Sequence, residues 1–134
     1  MDDPRFIQDT YEKYRVYLGL GISVARLGDN ALAKEHLYKA LEFYPDGDGA
    51  LATLGGIEVS ADKNYEHAIV LLEKAIQLSS VNELARDYMG VALFNLRQYE
   101  KAADYFREAL RINPEYEPAK QHLDLALKLV GRPQ

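Results

Sequence analysis

Apolar residues along the chain recur at intervals of three and four positions, the spacing that places them on one side of an α-helix. Between positions 83 and 116 two such segments follow one another, with Met89 and Leu93 in the first and Ala102 and Phe106 in the second. Pro114 ends the second segment, because proline has no backbone N–H to donate and disfavours a helical conformation in the residue before it. The pattern predicts a pair of helices of about a dozen residues each, which need neighbours for stability.

This pair of segments recurs along the chain at a nearly fixed interval. Ala33, Ala68 and Ala102 stand 35 and then 34 positions apart, and two further sets of residues keep the same spacing. Units of this length are typical of solenoids, in which each unit buries its apolar side against the next. We therefore expect three copies of a helix pair in a row. The two further sets are Gly21, Gly56 and Gly90, and Pro45, Ser80 and Pro114.

Each unit resembles the tetratricopeptide repeat, a family whose motif of about 34 residues combines aromatic positions, a Leu-Gly pair, alanines and a closing proline. The middle unit departs furthest from the motif. Ala52 stands where the motif has a large residue, Gly55 where it has leucine, and Ser80 where it has proline. The third unit matches at Met89-Gly90, Leu93, Ala102, Phe106, Ala109 and Pro114, and the first unit at Tyr17, Leu20-Gly21, Val24, Ala33, Leu37, Ala40 and Pro45.

The resemblance implies an all-α fold, a right-handed α-solenoid of three helix-turn-helix repeats with a C-terminal capping helix. One extra residue is expected in the loop at 46–49, where an insertion disturbs the fold least. Gly55 and Gly56 stand inside a helix, and we interpret them as a sign of close packing or fraying rather than of a functional hinge. The predicted single domain, 1–134, contains an N-terminal helical extension at 1–13, repeats at 14–47, 49–82 and 83–116, and the capping helix at 117–131.

Composition and charge exclude several classes of protein. The chain has no cysteine, so it has neither disulfides nor thiolate chemistry. Its net charge is −5 and its 16 basic residues are interleaved with acids, which argues against a nucleic-acid-binding surface. No apolar run is long enough to span a membrane. Asp2, Asp3 and Pro4 stand where a signal peptide would carry basic residues, so we expect a cytoplasmic protein.

The sequence predicts no catalytic or metal-binding motif. The segment at 46–49 is similar to the start of a calcium-binding loop, but Ala50 occupies the third ligand position and Ile57 the position of the closing glutamate. His36, His67 and His122 have no second ligand at helical spacing, so we interpret them as surface or interhelical histidines. We expect no metal, no cofactor and no enzymatic activity.

The resemblance implies instead a protein-binding function, because the first helices of such repeats line a concave groove. An apolar peptide segment or an amphipathic helix of another protein would bind there, with this chain acting as adaptor, scaffold or co-chaperone. A second stripe of α-helical spacing, from Tyr17 through Leu20 and Val24 to Leu27, is expected to pack inside the fold, which leaves the groove free. The predicted groove residues are Arg15, Leu18, Ile22, Arg26, Thr53, Leu54, Ile57, Leu84, Asp87, Tyr88, Val91, Phe94, Asn95, Gln121 and Leu125.

Some members of the resembling family hold the terminal carboxylate of acidic chaperone tails in a clamp of Lys, Asn, Asn, Lys and Arg. None of the five corresponding residues in this sequence matches the clamp. We therefore expect that this chain does not bind a terminal carboxylate. The five residues are Leu18, Ile22, Leu54, Leu84 and Tyr88.

The N-terminal extension leaves a second function open. Asp3 and Pro4 are typical of a helix start, and a helix that ran on to Leu27 would carry Ile7 and Tyr11 beyond the first repeat. This extension could fold over the groove, pair with a second copy as a homo-oligomer, or contact the partner. A structural fragment of a longer array is a further alternative.

Overall fold

The computed structural model describes residues 3–131, which form α-helices and, within that range, no strand. The predicted all-α class is therefore confirmed. Two segments lie outside the described range: residues 1 and 2 of the predicted extension, and the last residues, 132–134. The helices are α1 (Pro4–Arg26), α2 (Asn30–Phe43), α3 (Asp48–Ile57), a π-helical segment that continues α3 (Glu58–Asp62), α4 (Tyr65–Leu78), α5 (Glu83–Asn95), α6 (Tyr99–Ile112) and α7 (Glu117–Leu129).

Short polar side chains set the starts of three helices. The carboxylate of Asp3 accepts a hydrogen bond of 2.9 Å from the backbone N–H of Arg5, and proline occupies the first turn of α1. Asp29 and Asn82 accept equivalent bonds at the starts of α2 and α5. Each cap satisfies a backbone donor that has no partner inside the helix. The predicted start of the N-terminal helix is confirmed, and α1 runs from there to Arg26 without a break.

The helices pack in chain order into a row of pairs. Within the pairs, α1 packs on α2, α3 on α4 and α5 on α6, and α7 covers the last pair. Between the pairs, α2 packs on α3 and α4 packs on α5. The first helices also touch one another, since α1 contacts α3, α3 contacts α5, and α5 contacts α7. This arrangement is an α-solenoid of helical repeats, as the periodicity predicts.

Small residues hold the two helices of each pair close together. The repeated alanines Ala33, Ala68 and Ala102 are fully buried, which confirms that they mark equivalent positions in the core. Opposite them, glycines on the first helices leave room for one large side chain of the second helix. A Cβ at Gly21 would stand 2.6 Å from Leu37, and one at Gly55 would stand 2.6 Å from Leu72.

The glycine that continues the series in the middle unit is Gly55, so the prediction of Gly56 is wrong. Gly90 faces Phe106 in the same way that Gly55 faces Leu72. Gly56 points away from α4 toward the ring of Tyr88 on α5. The interpretation of the two adjacent glycines as a sign of close packing is confirmed, since a Cβ at either one would collide with a neighbouring helix.

The extra residue of the middle unit lies in the π-helical segment and not in the loop at 46–49. Pro45, Ser80 and Pro114 each stand three residues before the next helix, so the loops are of equal length. A residue with positive φ follows the first helix of each unit, and it comes seven positions after Gly21 and Gly90 but eight after Gly55. A π-helix accommodates such an insertion through bonds that span five residues, here from the N–H of Lys63 to the carbonyl of Glu58.

The middle unit therefore begins one residue earlier than predicted, and we assign it to 48–82. Leu51 then occupies the large position, and Leu54-Gly55 forms the Leu-Gly pair. The departures predicted at Ala52 and Gly55 therefore disappear, and the absence of a proline at Ser80 remains.

The outer side of α1 differs from its prediction. Leu20 and Leu27 were expected in a buried packing stripe, but both are exposed. Tyr17 and Val24 are half-buried, because α2 and α3 cover only part of the circumference of α1. The first helix is therefore apolar on a side that the described residues leave partly open.

Candidate functional site

The C-terminal half of α1, the middle of α3 and the start of α5 enclose a pocket of about 420 Å³. Six of the predicted groove residues line it together, which follows from the side-by-side packing of the first helices. They are Ile22, Arg26, Thr53, Ile57, Leu84 and Tyr88. The pocket also includes Ala25, Asn30, Gly56 and Ser60.

A narrower apolar slot of about 40 Å³ lies farther along the same side of the molecule. Three predicted groove residues line it, namely Val91 and Phe94 on α5 and Leu125 on α7. Phe106 and His122 complete its wall. Tyr88 of the pocket and Val91 of the slot are three residues apart on α5, so the two cavities follow one helical face.

Three residues of the predicted groove are buried instead of open. Leu54 is fully buried, Ile57 is 5% exposed and Asp87 is 3% exposed. Leu54 belongs to the core because the one-residue shift of the middle unit makes it the leucine of the Leu-Gly pair. Ile57 joins the same core cluster and only touches the pocket, and Asp87 lies beneath α7.

The remaining predicted residues stand outside the two cavities. On α1, Arg15 is exposed and Leu18 is half-buried. The side chain of Leu18 packs on Gly49, where an added Cβ would lie 3.2 Å from it. Asn95 donates its side-chain amide to the carbonyl of Val91 at 2.8 Å, and Gln121 is exposed on α7.

In the shifted register, small residues of α3 form the floor of the pocket. Gly56 and Ser60 follow Thr53 along one helical face, and the predicted bounds of the middle unit, which are offset by one residue, hide this pattern. The hydroxyls of Thr53 and Ser60 donate to the carbonyls four residues earlier, at 2.8 and 2.7 Å. Their oxygens can still accept hydrogen bonds from a ligand. The predicted groove set lacks Gly56 and Asn30.

A histidine and a buried acid connect α7 to α5 beside the slot. His122 Nδ1 lies 2.9 Å from Asp87 Oδ1, and the ring centroid of His122 is 5.3 Å from that of Phe106. His67 and the buried Glu58 form a second such pair at 3.3 Å. The interpretation of these two histidines as interhelical is confirmed. Among residues 3–131, no group of three or more His, Asp or Glu side chains could hold a metal ion.

Arg26 is the charged side chain among the residues that line the pocket. Arg15 and Arg26 on α1 have no ion-pair partner among residues 3–131, whereas the acid Asp87 is buried and bonded to His122. Burial raises the pKa of Tyr88 above its ordinary value of 10.0, so its hydroxyl keeps its proton into the alkaline range and can donate a hydrogen bond. Within the described part of the chain, no helix has both the length and the apolar character needed to cross a bilayer.

Comparison with known proteins identifies the family. The model of the tetratricopeptide repeat family matches residues 88–116. The solved structure of MamA from AMB-1 has 30% sequence identity to this chain and a TM-score of 0.72. The match covers 89% of this chain and 70% of the MamA chain. The chain belongs to the tetratricopeptide repeat family.

Other proteins that match this chain include a much longer relative and a more distant solved structure. Human tetratricopeptide repeat protein 6 is 28% identical over 111 residues, which are 79% of this chain and 20% of that protein. The chain spans a fifth or less of the length of the curated relatives it matches. The first TPR of Spaghetti (RPAP3), solved with the HSP90 peptide SRMEEVD, has a TM-score of 0.83 at 18% identity and covers 90% of this chain and 95% of that chain. This likeness shows the shared fold.

Proposed function

We propose that this chain is a non-catalytic module that binds a segment of another protein along the face of its first helices. The pocket at Tyr88 and the slot at Val91, which follow each other on α5, carry the proposal. A groove of this kind suits an adaptor or scaffold, because binding alone performs those roles. The cytoplasmic location expected from the sequence stays a prediction.

The chemistry of the cavities favours a ligand with apolar anchors. Ile22, Leu84 and Tyr88 are half-buried around the pocket, and Leu125 is 51% exposed at the slot. Binding is favourable when a ligand removes the apolar side chains around a concavity from water, because their burial lowers the free energy of the complex. We propose that the partner inserts apolar side chains into both cavities.

A peptide library tests the proposal with one matched pair of variants. Random peptides displayed on phage are selected on the immobilised protein and then titrated against Leu125→Asp and Val70→Asp. Both changes place a carboxylate at an exposed apolar residue, but Val70 is 64% exposed on the second helix α4, away from the cavities. We expect Leu125→Asp to abolish binding and Val70→Asp to retain it. Recovery of no binding peptide, or equal binding to both variants, contradicts the proposal.

The groove is not expected to hold a terminal carboxylate. In the shifted register the five clamp positions are Leu18, Ile22, Thr53, Leu84 and Tyr88, of which none is a cation or an asparagine. The Spaghetti domain was solved with an acidic HSP90 peptide, so that peptide is a suitable probe. We expect SRMEEVD with a free C-terminus and its C-terminal amide to bind equally weakly. A large loss of affinity on amidation contradicts this expectation.

Self-assembly is a second candidate function, and the start of α1 supports it. Phe6 is 67% exposed, and Ile7 and Tyr11 are exposed with it on the first turns of the helix. A second copy could cover these side chains. Light scattering at two protein concentrations checks this alternative, since a pairing equilibrium gives a mass that rises with concentration. A constant monomer mass contradicts it.

A further inference from the structure

One stripe of α1 carries an ordered pattern of charge and apolarity along the groove. Arg15, Leu18, Ile22 and Arg26 follow at steps of three, four and four residues, which places them on one helical face. The two arginines are eleven residues apart, so they stand ~16 Å apart along the axis. The stripe therefore has a cation at each end and two apolar side chains between them.

Both arginines lack ion pairs of the kind that several other cations of this chain form. Lys34 lies 2.6 Å from Asp62, and Arg107 lies 3.2 Å from Asp104. Neither Arg15 nor Arg26 has an ion pair among residues 3–131. In a chain with 21 acidic and 16 basic residues, two unpaired arginines on the groove side are charges for which a partner can supply the acids.

The surroundings of Arg26 suit a carboxylate. Arg26 lines the pocket beside Asn30 and Ser60, whose side chains add polar groups near the guanidinium. A guanidinium has a planar set of donors that matches the two oxygens of a carboxylate. The attraction is stronger in such a concavity than on an open surface, because fewer water molecules screen the charges.

We propose that the partner is an internal, extended segment in which two acidic residues flank an apolar stretch. This inference rests on the proposed function of the groove. The acids pair with Arg15 and Arg26, and the apolar residues between them pack on Leu18 and Ile22. An extended chain advances ~3.3 Å per residue, so acids at positions i and i+5 match the ~16 Å between the arginines. A helix with its side chains is ~10 Å across, and a pocket of about 420 Å³ fits side chains of an extended chain better.

Charge reversal on both sides of the interface tests this pairing. Two peptides share one apolar stretch and carry either glutamates or lysines at positions i and i+5. Both are acetylated and amidated, so only side chains supply charge. They are titrated against the wild type, Arg15→Glu/Arg26→Glu, and the control Lys101→Glu/Arg107→Glu, which changes charge equally on the second helix α6.

We expect the wild type and the control to bind the glutamate peptide at least about tenfold more tightly than the lysine peptide. The Arg15→Glu/Arg26→Glu variant should reverse that preference. Circular dichroism confirms that each variant is folded. Equal affinities of the wild type for both peptides overturn the charge inference and leave the groove function standing. If the two peptides fail while library peptides bind at Leu125, the inference alone is wrong; if the library peptides fail as well, the proposed function is wrong too.

Discussion

Gly55 sets the distance between α3 and α4 because it has no side chain. Leu72 occupies the space where a Cβ would stand, and it is fully buried, so it cannot swing toward solvent. Gly19 offers the opposite case, since a Cβ there would meet no atom within 4 Å. The two residues are both helical glycines, and they differ in what surrounds them.

We expect Gly55→Ala to lower the free energy of unfolding by about 1–3 kcal/mol, because the added methyl forces Leu72 or the helix backbone to move. Gly19→Ala should raise it by about 0.5–1 kcal/mol, because alanine loses less backbone entropy in a helix. Urea denaturation followed by circular dichroism measures both changes. Similar effects of the two substitutions would contradict the assignment of Gly55 to the close contact.

Tyr116 stands in the loop before α7 and is half-buried. Burial raises its pKa from the ordinary value of 10.0 to about 12, and the negative charge of Asp87 adds to the shift. The folded protein therefore keeps the phenol proton at pH values where the unfolded chain releases it.

Because the pKa is higher in the folded state, the contribution of Tyr116 to stability is complete below pH ~10 and falls as the pH rises from about 10 to about 12. Burial also raises the pKa of Tyr14, Tyr88 and Tyr105, so the wild type should lose stability in the alkaline range. Tyr116→Phe should lose less over the same range. Urea midpoints at several alkaline pH values measure the slopes, and equal slopes for the two proteins would contradict the assignment.

The π-helical segment of α3 explains why sequence reasoning misplaced part of the groove. Gly55 and Gly56 are adjacent, and either can continue the glycine series with a spacing of 34 or 35 residues. Periodicity does not distinguish an insertion inside a helix from one in a loop, because both shift the following residues equally. Only the contacts with Leu72 and Tyr88 separate the two glycines. Leu54 and Ile57 were assigned to the groove as a consequence.

Deletion of Ala61, an exposed residue of the π-helical segment, tests this assignment. The deletion should leave a regular helix and the usual repeat length, so the free energy of unfolding should change by less than about 1 kcal/mol. Deletion of Ser23, an exposed residue three positions before the end of α1, should cost several times more, because it rotates the end of α1 against α2. Urea denaturation compares them. Equal losses would mean that the extra residue is not accommodated in this segment.

The fold was predictable from the sequence because solenoid contacts are local and repeat with the chain. The same small and large residues, such as Ala33 and Leu37, return in each unit and define one packing scheme. Parts of the site that depend on a single distant pair were not predictable. Asp87 and His122 are 35 residues apart, and their contact depends on how α7 lies over α5.

Stability should differ along the row of helices, because each helix depends on its nearest neighbours. α5 contacts α3, α4, α6 and α7, and seven of its thirteen residues are buried. α1 has 23 residues, and the structure buries only Tyr14 and Gly21 among them. Local opening therefore costs least at the first turns of α1, where Phe6 and Ile7 are exposed.

Hydrogen exchange followed by mass spectrometry should show the fastest amide exchange before Tyr14 in α1 and the slowest in α5. Since Arg15, Leu18, Ile22 and Arg26 on α1 belong to the candidate groove, a bound peptide should slow exchange in α1 more than in α6, of which Phe106 alone lines the slot. Uniform exchange along the chain would mean that the solenoid unfolds as one block. Slowing of α6 without α1 would place the ligand on the opposite side of the molecule.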